Sequence, residues 1–353
     1  MIQGHGDDAY RYARPIRANF SSNVYGHVDL EPLKAHLRKR LDALGNYPEP
    51  EPYTLESALA GLLGLDTASL LVTAGATEAI YLVAHAFAGS RSTILQPTFS
   101  EYADACTLYS HHLIPCARKN LFSPGTSPEL KEPSAPPGLR TTFWLCNPNN
   151  PTGMVIPKDQ LVRAIEETPE TVFVIDQSYG FFTRESLLSA AEAVRYPNVI
   201  QLHSMTKRYA MPGLRLGFVT AHPALIERIR AVRMPWSVNA LAIEAGLYLC
   251  EHPDTAPIDL PTLLAETQRL RSALDALPGV TAEPTDTHFF LCRLADRRAA
   301  DLKKWLAETH GILIRDASNF EGLDDGCFRI AAQTPAENDG LVAAVRQYLE
   351  DCR

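Results

Sequence analysis

Short apolar runs alternate with helix-like stretches through the middle of the chain. Runs of this kind, rich in β-branched residues and bounded by turn-forming residues, are typical of strands that are buried on both faces. The predicted strands cover residues 69–73, 93–95, 142–146, 172–175 and 199–202. After Gly75, the apolar side chains of Ile80, Val83, Ala84 and Phe87 share one face of a predicted helix. The alternation predicts an α/β fold around a mainly parallel sheet.

The pattern changes from about residue 245, where a long helical stretch begins. It then predicts a strand over 287–293, a helix near 298–309, strands at 312–315 and 327–331, and a final helix. We therefore expect a smaller α+β domain after the parallel sheet. The predicted parts are an N-terminal arm over 1–30, a large domain over 31–245 and a small domain over 246–353. Residues 123–138 are rich in Pro, Ser and Gly and predict a surface connection.

Composition and charge narrow the class of protein. The chain has 353 residues, of which 46% are hydrophobic and 21% charged, as in globular proteins with a large core. Its net charge of -8 and lack of a long basic run argue against nucleic acid or an anionic membrane as the main partner. No apolar run approaches the ~20 residues of a membrane span, and no signal peptide is recognisable. Seven scattered cysteines indicate reduced thiols, a cytoplasmic location and no metal site.

Three polar side chains follow successive predicted strands. Asn150 lies in the turn 147–153 after one strand, Asp176 ends the next, and Lys207 follows a third. Because the carboxyl ends of parallel strands meet at one sheet edge, a ligand site is expected there. A lysine amine forms a Schiff base with an aldehyde, and a carboxylate can pair with a protonated pyridine nitrogen. Each residue alone also has an ordinary explanation, as part of a turn, a cap or a solvated surface.

A phosphate site is predicted beside these residues. Ser204 lies three residues before Lys207, and Arg215 lies eight residues after it. Residues 75–77 join a strand to a helix, where backbone N–H groups favour an anion. An aldehyde and a phosphate on one small molecule describe pyridoxal phosphate (PLP), so the sequence predicts PLP as the cofactor.

Taken together, these motifs resemble those of the fold-type I PLP-dependent enzymes in the class I and II aminotransferase superfamily. The resemblance covers nearly the whole chain and implies a large PLP-binding domain with a seven-stranded, mainly parallel sheet. It implies that Lys207 forms the Schiff base with PLP and moves protons, while Asp176 pairs with the pyridine nitrogen. It implies that Asn150 and Tyr179 hold the ring hydroxyl oxygen and that Phe99 stacks on the ring. Around the cofactor phosphate it places Gly75, Ala76, Thr77, Ser204, Thr206 and Arg215.

The same resemblance implies a homodimer whose N-terminal arm contributes to the active site. Tyr47 matches a tyrosine that reaches the cofactor phosphate of the neighbouring subunit. Asn46 departs from the family here, because relatives commonly carry arginine before this tyrosine. Gln177 and Ser178 depart from the usual Glu and Ala, at positions that do not contact the cofactor.

Two arginines in the predicted small domain, Arg315 and Arg329, are candidates for binding carboxylate or phosphate groups. They suit a substrate with two anionic groups, such as a small phosphorylated amino acid or amino alcohol. Segments 5–8, 19–23, 47–50, 204–213 and 234–240 resemble the threonine-phosphate decarboxylases of cobalamin biosynthesis. That resemblance implies conversion of O-phospho-L-threonine to aminopropanol phosphate, with Ser22, Asn23 and His5 as further substrate contacts.

Other functions stay open at this point. Histidinol-phosphate aminotransferases share the cofactor residues and a phosphate-bearing substrate, so a PLP-dependent aminotransferase is the main alternative. A ligand-sensing module of a transcription regulator and a non-catalytic scaffold are two further classes. Such regulators carry a separate basic DNA-binding domain, and the segment before Asn19 is too short for one. Retention of the complete set of cofactor residues argues against the scaffold.

Overall fold

A computed structural model describes residues 6–117 and 140–351 of the chain. The predicted connection at 123–138 and the predicted substrate contact His5 lie outside the described residues. The strands are Ala18–Asn19 (β1), Leu70–Thr73 (β2), Arg91–Gln96 (β3), His112–Ala117 (β4), Thr141–Cys146 (β5), Thr171–Asp176 (β6), Val199–Ser204 (β7), Gly217–Ala221 (β8), Val280–Ala282 (β9), Phe289–Leu294 (β10), Ile312–Leu313 (β11), Arg315–Asp316 (β12) and Cys327–Ala331 (β13).

The α-helices lie before, between and after these strands. They are Glu31–Lys39 (α1), Tyr53–Leu63 (α2), Gly75–Ala86 (α3), Glu101–Leu108 (α4), Lys158–Glu167 (α5), Ala190–Ala193 (α6), Met205–Arg208 (α7), Pro223–Arg230 (α8), Ala240–Glu251 (α9), Leu260–Asp275 (α10), Ala299–His310 (α11) and Pro335–Asp351 (α12). Within the described residues, no helix is both long enough and apolar enough to cross a bilayer.

The predicted α/β architecture with a seven-stranded, mainly parallel sheet is confirmed. The strand order is β2-β8-β7-β6-β5-β3-β4, and only β8 runs antiparallel to its neighbours. The sheet is buried on both sides because alternate side chains of one strand enter different cores. On β5, Trp144 packs in the same core as Ile80 of α3, whereas Phe143 packs in the same core as Leu161 of α5.

A second, four-stranded antiparallel sheet has the order β12-β13-β10-β9 and is accompanied by α10, α11 and α12. The prediction of one strand over 312–315 was wrong. The segment holds two short strands: β11 pairs in parallel with β1, and β12 pairs with β13. The long helical stretch after residue 245 is also two helices, since Pro253 and Pro257 lie between α9 and α10 and proline interrupts a helix.

The pairing of β1 with β11 ties residues near the start of the chain to the second sheet. Phe20 continues this contact, because its backbone N–H donates to the carbonyl of Leu313 at 2.8 Å. The division of the chain into an arm, a large domain and a small domain stays a prediction. The contacts do show that residues 18–20 are held against residues 311–313, next to the second sheet.

Candidate active site

A pocket of about 250 Å³ lies at the carboxyl ends of β5, β6 and β7. The last residue of each strand, Cys146, Asp176 and Ser204 respectively, lines it. Predicted site residues that line the pocket are Ser22, Asn23, Ala76, Thr77, Phe99, Asn150, Asp176, Tyr179, Ser204, Thr206, Lys207, Arg215, Arg315 and Arg329. Residues distant in sequence therefore meet at the sheet edge where ligands of open α/β folds bind.

Lys207 lies in the short helix α7, which follows β7 directly, and its side chain is partly buried. Its Nζ atom lies 5.9 Å from the centre of the Tyr179 ring. Burial, together with the positive charges of Arg329 and Arg215, lowers the pKa of the Lys207 amine to about 8. A substantial fraction of the amine is therefore neutral near physiological pH, which is the form that acts as a nucleophile.

Asp176 is 5% exposed, and both of its carboxylate oxygens accept a hydrogen bond. The Tyr102 hydroxyl donates to Oδ2 at 2.7 Å, and the backbone N–H of Ser178 donates to Oδ1 at 2.8 Å. Burial raises the pKa of Asp176, while these hydrogen bonds and the charge of Lys207 oppose the rise. The result is a buried, oriented carboxylate, which is the partner that a protonated pyridine nitrogen needs.

The loop after β5 contains three asparagines, of which two stabilise the loop and one lines the pocket. Asn147 pairs with the backbone of Ile156 through Nδ2 and Oδ1, at 3.1 and 2.8 Å. Asn149 accepts a hydrogen bond from the Thr98 hydroxyl at 3.0 Å. Asn150 alone of the three lines the pocket, where its Oδ1 accepts a hydrogen bond from Nη1 of Arg329. The first two asparagines fix the loop so that the third presents its amide to a ligand.

An anion cradle is formed by the start of α3, the end of β7 and Arg215. The hydroxyl of Thr206 is buried and has no hydrogen-bond partner in the part of the chain that the structure describes. Gly75 adopts a φ of +83°, and a Cβ atom there would lie 2.7 Å from Nη2 of Arg215. Backbone N–H groups at a helix start, an unpaired hydroxyl and a guanidinium group suit a phosphate. The residues present therefore fit the phosphate end of PLP.

Phe99 and Tyr179 are two of the four aromatic side chains that line the pocket. Phe99 is partly buried and stands edge-on to Tyr102, with ring centres 5.9 Å apart. Tyr179 packs edge-on against Phe289 at 4.9 Å. Burial raises the pKa of the Tyr179 phenol, while the charge of Arg329 opposes the rise. The phenol therefore stays protonated and can donate a hydrogen bond to a ring oxygen.

Arg315 and Arg329 are directly opposed on the neighbouring strands β12 and β13, and both are buried. Arg315 donates to the carbonyl of Asp316 at 2.6 Å and to Oδ1 of Asn319 at 2.9 Å. Burial lowers the pKa of Arg329 to about 9, with a further contribution from the charge of Arg315. Like charges directly opposite in a sheet destabilise it. A bound anion would offset this repulsion.

Asn23 is 2% exposed and lies beside the Tyr179 phenol. Neither atom of its side-chain amide makes a hydrogen bond within the described residues. Ser22 precedes it on the pocket wall, where its hydroxyl accepts from the backbone N–H of Val24 at 3.3 Å. The Asn23 amide is thus a buried polar group available to a ligand.

Tyr47 does not line the pocket of its own chain. It is 87% exposed, and its ring centre lies 5.7 Å from that of Trp236, which is 49% exposed. Its predicted reach into a neighbouring subunit stays a prediction.

The sequence interpretation missed several residues of the pocket wall, among them Gly6, Asp7, Ser100, Tyr102 and Asn319. Tyr102 lies in the first turn of α4, three residues after Phe99, and its nearness in sequence to that predicted ring-stacking residue was the available signal. Cys146 also lines the pocket, and its thiol donates a hydrogen bond to the Pro148 carbonyl at 3.0 Å.

Comparison with known proteins extends the likeness over almost the whole chain. The family model for aminotransferase class I and II matches residues 16–345. The threonine-phosphate decarboxylase of Salmonella typhimurium is 32% identical over 335 residues, covering 94% of this chain and 91% of that protein. Histidinol-phosphate aminotransferase 2 of Idiomarina loihiensis is 27% identical over 348 residues, covering 96% and 95%. The crystal structure of L-threonine-O-3-phosphate decarboxylase from Porphyromonas gingivalis has a TM-score of 0.88 and 38% identity, covering 94% and 99%.

Proposed function

We propose that this chain, which belongs to the aminotransferase class I and II family, removes carbon dioxide from O-phospho-L-threonine and yields aminopropanol phosphate. The observation that carries the proposal is the buried pair Arg315 and Arg329, which face each other on the wall of the pocket that holds Lys207. Two guanidinium groups offer separate bidentate sites for a phosphate and a carboxylate. The likeness to the two threonine-phosphate decarboxylases supports the same choice of substrate.

Pyridoxal phosphate is the cofactor of this family and of this chain. When bound, it accepts the electron pair that is released as a bond to the α-carbon of an amino acid breaks. The residues that we expect to hold it are Gly75, Ala76, Thr77, Phe99, Asn150, Asp176, Tyr179, Ser204, Thr206, Lys207 and Arg215.

Substrate binding selects the bond that breaks. Arg315 and Arg329 hold the phosphate and the carboxylate of the substrate, with Ser22 and Asn23 beside them, and so fix the rotation about its α-carbon. Lys207 provides the proton that the α-carbon receives after carbon dioxide has left. Its lowered pKa allows the amine to gain and release a proton near neutral pH.

Asp176 contributes a fixed negative charge at the end of β6. Its two hydrogen bonds, from Tyr102 and Ser178, orient the carboxylate and oppose the rise in its pKa that burial causes. Such a charge holds the pyridine nitrogen protonated, which strengthens the ability of the ring to accept electrons.

A homodimer is part of the proposal. The exposed large side chains of Leu44, Tyr47, Met234 and Trp236 come from two segments that contact each other through the Tyr47 and Trp236 rings. Exposed apolar groups that cluster in this way indicate an interaction surface. We expect a second copy of the chain to cover them and Tyr47 to reach the cofactor phosphate of that copy. A place in the cytoplasm and in cobalamin biosynthesis belongs to the same proposal.

The test supplies the PLP-loaded protein with O-phospho-L-threonine and measures carbon dioxide. A parallel reaction contains histidinol phosphate and 2-oxoglutarate and is assayed for glutamate. Release of carbon dioxide without glutamate is the expected result. Glutamate without carbon dioxide would refute the decarboxylase and identify the aminotransferase alternative, which the likeness to the Idiomarina enzyme supports. Arg315→Gln and Arg329→Gln should each raise the KM of the productive reaction.

A further inference from the structure

A buried ion pair fixes the start of the described chain beside the arginines. Oδ2 of Asp8 lies 2.7 Å from Nζ of Lys303 on α11, and their side chains are only 7% and 11% exposed. Just before Asp8, Gly6 and Asp7 line the pocket, whereas Lys303 does not. The pair therefore stands behind the pocket wall and joins two residues that are 295 positions apart in sequence.

The wall that Gly6 forms is in close contact with both arginines. A Cβ atom on Gly6 would lie 2.9 Å from the Ser21 carbonyl oxygen and 3.3 Å from Cδ of Arg315. The same Ser21 carbonyl accepts a hydrogen bond from Nη2 of Arg329. Asp7 is held by its backbone N–H, which donates to the Ser21 hydroxyl at 3.0 Å. Because Gly6 and Asp7 are fixed against this wall, the next residue, Asp8, is also held close to it.

The Asp8 carboxylate is near enough to Arg315 to affect the pKa of its guanidinium group. Burial lowers the pKa of Arg315, and the carboxylates of Asp316 and Asp8 oppose that effect. Oδ1 of Asp8 is buried and lacks a hydrogen-bond partner in the residues described, so Lys303 is the group that balances this carboxylate. Without Lys303, Asp8 would be an uncompensated buried charge, and Arg315 is the buried cation that its carboxylate acts on, while Arg11, the other such cation, is exposed to solvent.

We propose that Lys303 is a positioning residue that neutralises Asp8 and thereby keeps Arg315 available to the anionic group of the substrate. This role of Lys303 rests on the proposed function in one respect, since it requires a substrate that bears a phosphate or a carboxylate. An internal counter-ion for Arg315 would compete with that anion, so the affinity of the pocket for anions depends on Lys303.

Lys303→Met in the PLP-loaded protein removes the cation while keeping a side chain of similar length. We expect the KM for O-phospho-L-threonine to rise about tenfold with kcat changed less than about threefold, because the competition affects ground state and transition state alike. The affinity for inorganic phosphate, measured by titration calorimetry on the same holoenzyme, should fall by a similar factor. The dissociation constant of PLP should not change.

Two further variants separate this role from a structural one. Asp8→Asn combined with Lys303→Met removes the competing carboxylate as well, so its phosphate affinity should return to within about threefold of the original protein. Lys304→Met alters the exposed neighbour and should have no effect on phosphate binding. If Lys303→Met only damaged the fold, the loss of phosphate affinity would persist in the double variant.

Two results would overturn the inference: unchanged phosphate affinity in Lys303→Met, or a double variant no better than the single one. Failure of the proposed function gives a different pattern, because the unmodified protein would then release no carbon dioxide. The calorimetric comparison still tests Lys303 in that case, since phosphate binding requires no turnover.

Discussion

The hydrogen bond from Tyr102 to Asp176 leads to a quantitative prediction about cofactor binding. Tyr102→Phe removes the donor to Oδ2 and leaves only the Ser178 N–H on the other carboxylate oxygen. A hydrogen bond to a charged group contributes about 1.5–3 kcal/mol. Because this hydrogen bond favours the ionised form, its loss should raise the pKa of Asp176. This adds to the rise that burial already causes.

A carboxylate that ionises less readily binds a pyridinium less well. Converted at about 1.4 kcal/mol per tenfold, the lost hydrogen bond predicts a PLP dissociation constant higher by up to about 10- to 100-fold, reached where the pH is low enough to protonate Asp176 in the apoprotein. The defect should deepen as the pH falls, because protonation of Asp176 then competes with cofactor binding. The assay is an equilibrium titration of apoprotein with PLP, followed by absorbance, at several pH values between about 6 and 9.

Tyr81→Phe is the matched control for Tyr102→Phe. The Tyr81 hydroxyl donates to Oε2 of Glu101 at 2.8 Å, nearly the same length, but the pair is partly exposed and does not line the pocket. Its loss should leave PLP affinity unchanged. The reasoning is refuted if Tyr102→Phe binds PLP as tightly as the original protein at every pH, or if Tyr81→Phe weakens binding equally.

Three other predictions concern the cofactor cradle, the lysine and the arginines. Gly75→Ala should weaken PLP binding about tenfold or more in the same titration of apoprotein with PLP, because its Cβ would meet Arg215. The control is Gly64→Ala, because Gly64 also has a positive φ but faces open space. Capture of PLP by the apoprotein should become faster as the pH rises through about 8, where Lys207 loses its proton; a stopped-flow rate independent of pH would contradict this, and Lys207→Ala should lack the near-visible absorbance band. Added inorganic phosphate should raise the melting temperature of the holoenzyme but not that of Arg329→Met, and equal shifts would exclude Arg329 from the anion site.

The sheet and the residues at its edge were predictable because their signals are local. Strands β5, β6 and β7 are mainly apolar, although β7 also holds Gln201 and His203, and polar residues follow or end each strand. A change from apolar to polar at a strand end marks the ligand edge of a parallel sheet. Asn150, Asp176 and Lys207 needed no long-range information to be placed near one another.

Other features depend on contacts that the sequence pattern does not encode. The split of residues 312–315 follows from two partners, β1 and β13, that lie far away in the chain. Asp8 and Lys303 are each ordinary charged residues in sequence, and only the fold buries them together. The direction of the Tyr102 hydroxyl depends on how α4 packs against α3 and β3, and helix periodicity fixes only the face on which it lies.

The opposed arginines show why a site of this kind is hard to derive from sequence and yet easy to recognise in a structure. In sequence, Arg315 and Arg329 are two arginines near apolar strands, and nothing local indicates that they pair. In the fold they are buried cross-strand neighbours. Among the residues that the structure describes, their hydrogen-bond acceptors include no carboxylate: they are the carbonyls of Ser21 and Asp316 and the amides of Asn150 and Asn319. Stability alone would not select two such charges side by side, because their desolvation and repulsion both oppose folding. Natural proteins break local rules mainly where function requires it. The unfavourable pair is therefore better evidence for an anionic substrate than a well-paired arginine would be, since a bound anion would offset both contributions.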